Sequence, residues 1–272
     1  MKKILTLSFL FSFCISLSAQ INLNDSTVQT VAYWDKGDVY EYQIINKRTQ
    51  YKNAQLISCD SLIYNVDITV LDSTANSYTI EWLYKDNINK GLKIVYKTNE
   101  MGEFDEVMNW DEIRKFLEKA ADTMTQNKDT DIETVGVKEI IQYHMFYGMK
   151  YKVDELIETE TAIPNVFGAE PFTAETTYLL EEIYSDETYL VTAVQTISKE
   201  ELAAATIGYL KKISAATGNP IDENSLRNME FENKVITLSE IHNAGVIISS
   251  VQQTKVTNGD ITIVKECSIE LE

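Results

Sequence analysis

Histidine is almost missing from this chain: 2 among 272 residues, beside only 3 Cys, 3 Pro and 10 Gly. So few His and Cys leave little material for a Cys/His metal centre, and no metal ligand is nominated. So few Pro and Gly exclude collagen-like and proline-rich disordered chains. Basic charge is short as well. The 24 Lys and Arg stand against 42 Asp and Glu, for a net charge of -18. Phosphate recognition needs the opposite surplus, so no nucleic-acid partner is expected. Gly-x-Ser-x-Gly, Walker and dinucleotide glycine patterns are absent. No catalytic residue and no cofactor is therefore nominated. What is there is an apolar share of 44%, enough for a packed core, and 15 Tyr.

The first segment reads as an address. Residues 1–19 have the pattern of a secretory signal peptide: Lys2 and Lys3, an apolar run from Ile4 to Leu17, then small Ala19. Cys14 follows bulky Phe13, which argues against lipid attachment there. After residue 20 no run reaches the ~18 apolar residues of a membrane span, so no transmembrane span is expected. The expected location is periplasmic or extracellular, with cleavage near Ala19. Losing two lysines would make the mature chain more acidic still. Cys59 and Cys267 remain, and export permits a disulfide between them. Two buried small apolar residues are the bland alternative.

Residues 20–32 are polar and irregular, and read as a loose lead. A period of two then sets in. Tyr40, Tyr42 and Ile44 alternate with polar residues; so do Tyr64, Val66, Ile68 and Val70, then Tyr78, Ile80, Trp82 and Tyr84, then Ile94 and Tyr96. Such alternation predicts an antiparallel meander with one buried and one wet face. The period changes near Asn109, a helix cap with Glu112 three residues on. Ile113, Phe116 and Leu117 share a helical face, and a second pattern holds Ile140, Ile141, His144 and Met145. Met124–Thr130 is the polar loop between them.

Pro164, Gly168 and Pro171 mark the best boundary. It divides a part at 33–160 (meander plus helical hairpin) from a part at 161–272 (strands plus one helix). One continuous fold across both is the alternative. In the second part, strands flank Ser185-Asp186-Glu187, Ser198 caps a helix ended by Gly218-Asn219-Pro220, and Asn258-Gly259 signals a hairpin.

Few side chains invite chemistry. His144 and His242 are candidates for base or ligand, but each reads more simply as a structural histidine. Glu103, Asp105 and Glu106, and again Asp129, Asp131 and Glu133, offer oxygens without the glycine-centred calcium loop. The aromatic stripes remain. Tyr64, Tyr78, Trp82 and Tyr96 on one strand face could form an apolar groove with polar tips for a lipid, peptide or glycan, or simply the core.

The segment from Tyr33 to Tyr42, the Tyr64–Val70 strand and the Gly102 to Trp110 turn resemble uncharacterised exported proteins of Bacteroidetes-type bacteria. More distantly, a sheet wrapped on helices is similar to the periplasmic lipoprotein-carrier fold. That likeness implies an acyl chain or hydrophobic peptide as ligand. The expected fold is α+β: curved antiparallel sheet against a few amphipathic helices. The expected function is a non-enzymatic binding or envelope-structural protein for a hydrophobic small molecule, a lipid or an envelope protein. A carboxylate-dependent envelope hydrolase is the alternative.

Overall fold

The computed structural model describes residues 20–86, 89–123, 136–163, 170–217 and 231–272. The signal-like segment, the loop after residue 123, most of the 164–171 turn and the Gly218-Asn219-Pro220 stop lie outside them.

Strands dominate. In chain order they are β1 (Ile21–Asn22), β2 (Thr27–Gln29), β3 (Val39–Lys52), β4 (Gln55–Ser73), β5 (Ser77–Tyr84), β6 (Lys93–Asn99) and β7 (Phe104–Val107). Helices α1 (Trp110–Thr123) and α2 (Val137–His144) follow, then β8 (Lys150–Lys152), β9 (Leu156–Ile163), β10 (Phe172–Ile183) and β11 (Thr188–Ile197). Helix α3 (Lys199–Thr217) precedes β12 (Phe231–His242), β13 (Val246–Asn258) and β14 (Ile261–Leu271). The antiparallel, mainly β architecture with three helices among the described residues agrees with the expected class.

One 11-stranded sheet runs β7-β6-β5-β4-β3-β14-β13-β12-β11-β10-β9. Both parts of the chain therefore share a single sheet. The seam is the pairing of β14 with β3, from Ile261 opposite Lys52 to Leu271 opposite Tyr42. The 164–171 stretch is a connection between neighbouring strands, and a cut there would divide one hydrogen-bonded layer.

Alternation decides which face is covered. β5 reads intermediate and buried in turn along its whole length, with Tyr78, Ile80, Trp82 and Tyr84 inward. On that face lie α2, the small sheet β1-β2-β8, and α3, whose Leu202 and Ala205 meet Phe172, Ala174 and Ile197. Burial of large apolar groups such as Ile140, Tyr143, Phe146 and Tyr147 fixes α2 and the turn after it on the sheet. Each such group contributes on the order of 1.5–3 kcal/mol.

Three local expectations need correction. The lead at 20–32 is packed: Val28, Thr30 and Ala32 are buried, and the Thr30 N–H donates to the Met149 carbonyl. Asn109 does not close a capping box. Its Oδ1 accepts from the Val95 N–H at 2.8 Å, so it ties α1 to β6 instead. The third concerns strand length. β3 and β4 run far past their alternating cores into a hairpin turned at Asn53 and Ala54, both with positive φ (47° and 61°). That geometry suits a two-residue turn whose twist matches the strands. Elsewhere the signals hold: Gly259 turns β13 into β14 with φ 63°, and the Ser198 hydroxyl accepts from the Glu201 N–H at the start of α3.

Candidate ligand-binding trough

The aromatic face that could bind or form the core forms the core. Tyr64, Tyr78, Trp82 and Tyr96 are all buried in the main core. Their polar tips are taken by the protein. The Tyr78 hydroxyl donates to the Ala32 carbonyl at 3.0 Å, and the Tyr64 hydroxyl donates to Glu139 Oε1 at 3.2 Å. Rings from α2 and its following turn complete the packing, Tyr143 lying edge-on to both Tyr42 and Trp82. The cause is simple: helix α2 lays its own aromatic face into the groove that the strands offer.

His144 belongs to this closed region. Its Nδ1 lies 2.7 Å from the Gly102 carbonyl, and its Nε2 lies 2.9 Å from the Tyr96 hydroxyl. A carbonyl can only accept, so Nδ1 carries the proton and Nε2 accepts from Tyr96. Burial lowers the His144 pKa to about 4, against a weaker opposing pull from the Gly102 carbonyl. The ring is a neutral clamp. Gly102 itself has φ +96°, and a Cβ there would sit 2.6 Å from the Tyr147 ring. His242 caps its own turn, Nδ1 accepting from the Ala244 N–H at 3.0 Å. Among the described residues, no three His, Cys, Asp or Glu side chains gather as a metal group, and no helix is long and apolar enough to cross a membrane.

The expected disulfide does not form; Cys59 and Cys267 are both free. Register explains it. Cys267 lies opposite Asn46 on β3, whereas Cys59 lies opposite Thr49. Three residues of offset on an alternating strand put the two thiols on opposite faces. They are also separated by the width of β3, about 9–10 Å across two strand spacings, beyond disulfide reach.

An open space lies on the covered face just past α2. It is a cavity of about 640 Å³. Its floor comes from four neighbouring strands: Leu62 and Asp60 of β4, Asn46 and Arg48 of β3, Cys267 and Lys265 of β14, Gln252 and Thr254 of β13. Strand pairing sets these side by side. Asn46 is opposite both Leu62 and Cys267, and Arg48 is opposite both Asp60 and Lys265. One wall is α2, through Lys138, Glu139 and Gln142. Most of the surface these residues offer is carbon, from methyls and the stems of long side chains.

Several polar groups here are already committed. Glu139 Oε1 accepts from Asn46 Nδ2 at 3.2 Å as well as from Tyr64. Gln142 Nε2 reaches the Ser250 and Cys267 carbonyls at 3.2 and 3.1 Å. Burial, then the nearby Glu139 charge, pushes the Cys267 thiol up to about 12, so it stays protonated and inert. Arg48, Lys138 and Lys265 are exposed and make no ion pair or hydrogen bond among the described residues.

Of this group the sequence singles out only Cys267 as a site candidate, and for another role. The remaining trough residues are, Leu62 apart, ordinary polar or charged residues at scattered positions, and only the β3–β4 and β3–β14 registers make them neighbours.

No family model and no curated protein sequence matches this chain. Among solved structures it is similar to one described as lipid–protein interactions in lipovitellin. The match has a TM-score of 0.49 and 11% identity, over 88% of this chain and 25% of that chain.

Proposed function

We propose that this chain is an exported binding protein that holds a hydrophobic or amphipathic ligand in the trough beside α2. The cavity of about 640 Å³, set on a rigid sheet, carries the reading. That volume falls in the ~300–1,000 Å³ range of ligand sites. The same sheet face continues outward from it through Ile263, Val256 and Ile261, and Leu62, Val256 and Ile261 are exposed at 45%, 38% and 37%. An apolar strip leading from a cavity gives a hydrophobic body somewhere to lie. The aromatic core next to it is closed, so the ligand lies against aliphatic stems rather than rings. Export rests on Lys2, Lys3, the apolar run and Ala19, and the likeness to exported Bacteroidetes-type proteins is part of the same reading.

The test is native mass spectrometry of the protein recovered from its own envelope. Stoichiometric added mass, lost in a V256E/I263E variant that keeps its circular dichroism, is the expected result. Ligand-free protein that also fails to take up any added amphiphile would overturn the reading. Cleavage after Ala19 is checked on the same sample by N-terminal sequencing, which should begin at Gln20.

A further inference from the structure

We infer that the trough recognises the head of an anionic amphiphile, with Arg48, Lys265 and Lys138 as the head-binding groups; this rests on the trough being the ligand site. The strands place Arg48 and Lys265 directly opposite one another on the same face. Like charges so paired repel, and their juxtaposition costs stability unless an anion joins them. Lys138 adds a third cation from the first turn of α2, where a positive charge also opposes the helix dipole. Two unfavourable placements thus converge on one cavity, and a single carboxylate or phosphate oxygen set among them relieves both.

Nearby acids supply that anion only in part. Glu139 is held by Asn46 and Tyr64. The Glu266 carboxylate accepts from Gln253, on the opposite side of the sheet from Lys265. Asp60, across from Arg48, offsets part of that charge without making an ion pair among the described residues, and leaves Lys265 and Lys138 unanswered. The Thr254 hydroxyl, beside Lys265 in register, adds a further donor.

The rest of the molecule selects the occupant. With a net charge of -18, the surface repels free small anions and anionic bilayers alike. A monomeric amphiphile adds apolar burial to the head contact, and the floor is built for it. From Lys265 to Ile261 the strand extends about 13 Å, passing Ile263 beside Val256. The head would sit at the cations and the chain would lie along that strip.

The experiment compares laurate, dodecanol and acetate on wild type and on R48Q/K265Q by calorimetry. Both substituted side chains are exposed, and circular dichroism confirms the fold. Laurate should bind wild type. The double variant should weaken laurate roughly tenfold or more, as loss of charge-assisted contacts does, and leave dodecanol unchanged. K138Q should weaken laurate by less. Equal binding of laurate and dodecanol to wild type, or laurate binding untouched by the double variant, overturns the head site while leaving the trough intact. Acetate binding as tightly as laurate overturns the amphiphile and points to a free anion. If neither laurate nor dodecanol binds, the trough reading fails together with the inference.

Discussion

Two regions of the sheet's covered face, an aromatic one and a hydroxylic one, are packed with different materials. On the covered face of β3 to β6, the buried side chains include Tyr42, Tyr64, Tyr78, Trp82, Tyr84 and Tyr96. On the same face of β10 to β13, large groups such as Phe172, Leu180, Tyr189, Val191 and Ile241 surround a small, often hydroxylic patch: Ala174, Thr176, Ala193, Thr237, Ser239 and Ser250. The aromatic region gains stability from area and edge-on ring packing. The hydroxylic patch buries little carbon of its own and instead satisfies its polar atoms in pairs. Ser239 Oγ donates to Ser250 Oγ at 2.8 Å, Gln252 Nε2 donates to Thr237 Oγ1 at 3.0 Å, and Gln195 Nε2 donates to Thr176 Oγ1 at 3.1 Å. Helix α2 touches both regions, with Tyr143 against the rings and Gln142 against Ser250. The trough opens where the aromatic supply ends, between Tyr64 and the cations of β3 and β14. Filling needs large side chains, and the sequence stops providing them there.

The largest break in this comparison should come from the aromatic region. Trp82→Ala removes a fully buried indole, and denaturant unfolding should show a loss of about 3–5 kcal/mol. Much of that loss is the cavity left behind, because the surrounding rings cannot collapse into it.

Acid should come next. The His144 pKa is about 4 when folded, below the ordinary 6.5. The unfolded chain therefore binds the extra proton first, and stability falls as pH drops. The loss begins near pH 6.5 and is complete below about pH 4, on the order of 3 kcal/mol. Melting temperature followed from pH 7 to 4 should decline, and H144F should flatten that part of the profile. A wild-type profile flat over the range would show that the clamp is not closed as described.

The hydroxylic patch should respond least. Ser239→Ala removes one donor to Ser250, whose Oγ keeps its contact from Gln142. The expected cost is about 1 kcal/mol by the same unfolding measurement. A cost near that of Trp82→Ala would erase the distinction between the two regions.

Much of this plan can be read from residue order, for reasons of scale. Alternation at Tyr64–Val70 and Tyr78–Tyr84 marks a buried face because each strand buries one side along that whole stretch. Asn258-Gly259 and Ser198 work because turns and caps are local. The β3–β4 hairpin was illegible past Lys47, since both faces there meet water or the trough and the alternation has no core to answer to. Asn109 looked like a cap because the sequence cannot show that a strand N–H lies closer than the helix N–H groups. The candidate site was the least legible. Arg48 and Lys265 are unremarkable singly, and their meeting is a property of register between the two ends of the described chain.

That register carries a consequence for timing. β14 lies between β3 and β13, so the first long strand has its second neighbour only when the last strand is available. Every nascent form short of Ile261–Leu271 holds two unfinished sheets, each with a bare inner edge. Such edges recruit other chains, and pairings this remote in sequence close slowly. The trough floor, which draws on both strands, cannot exist before that closure. The space beside α2 thus takes its shape only once β14 has paired with β3, and a chain halted part-way presents an aggregation risk instead.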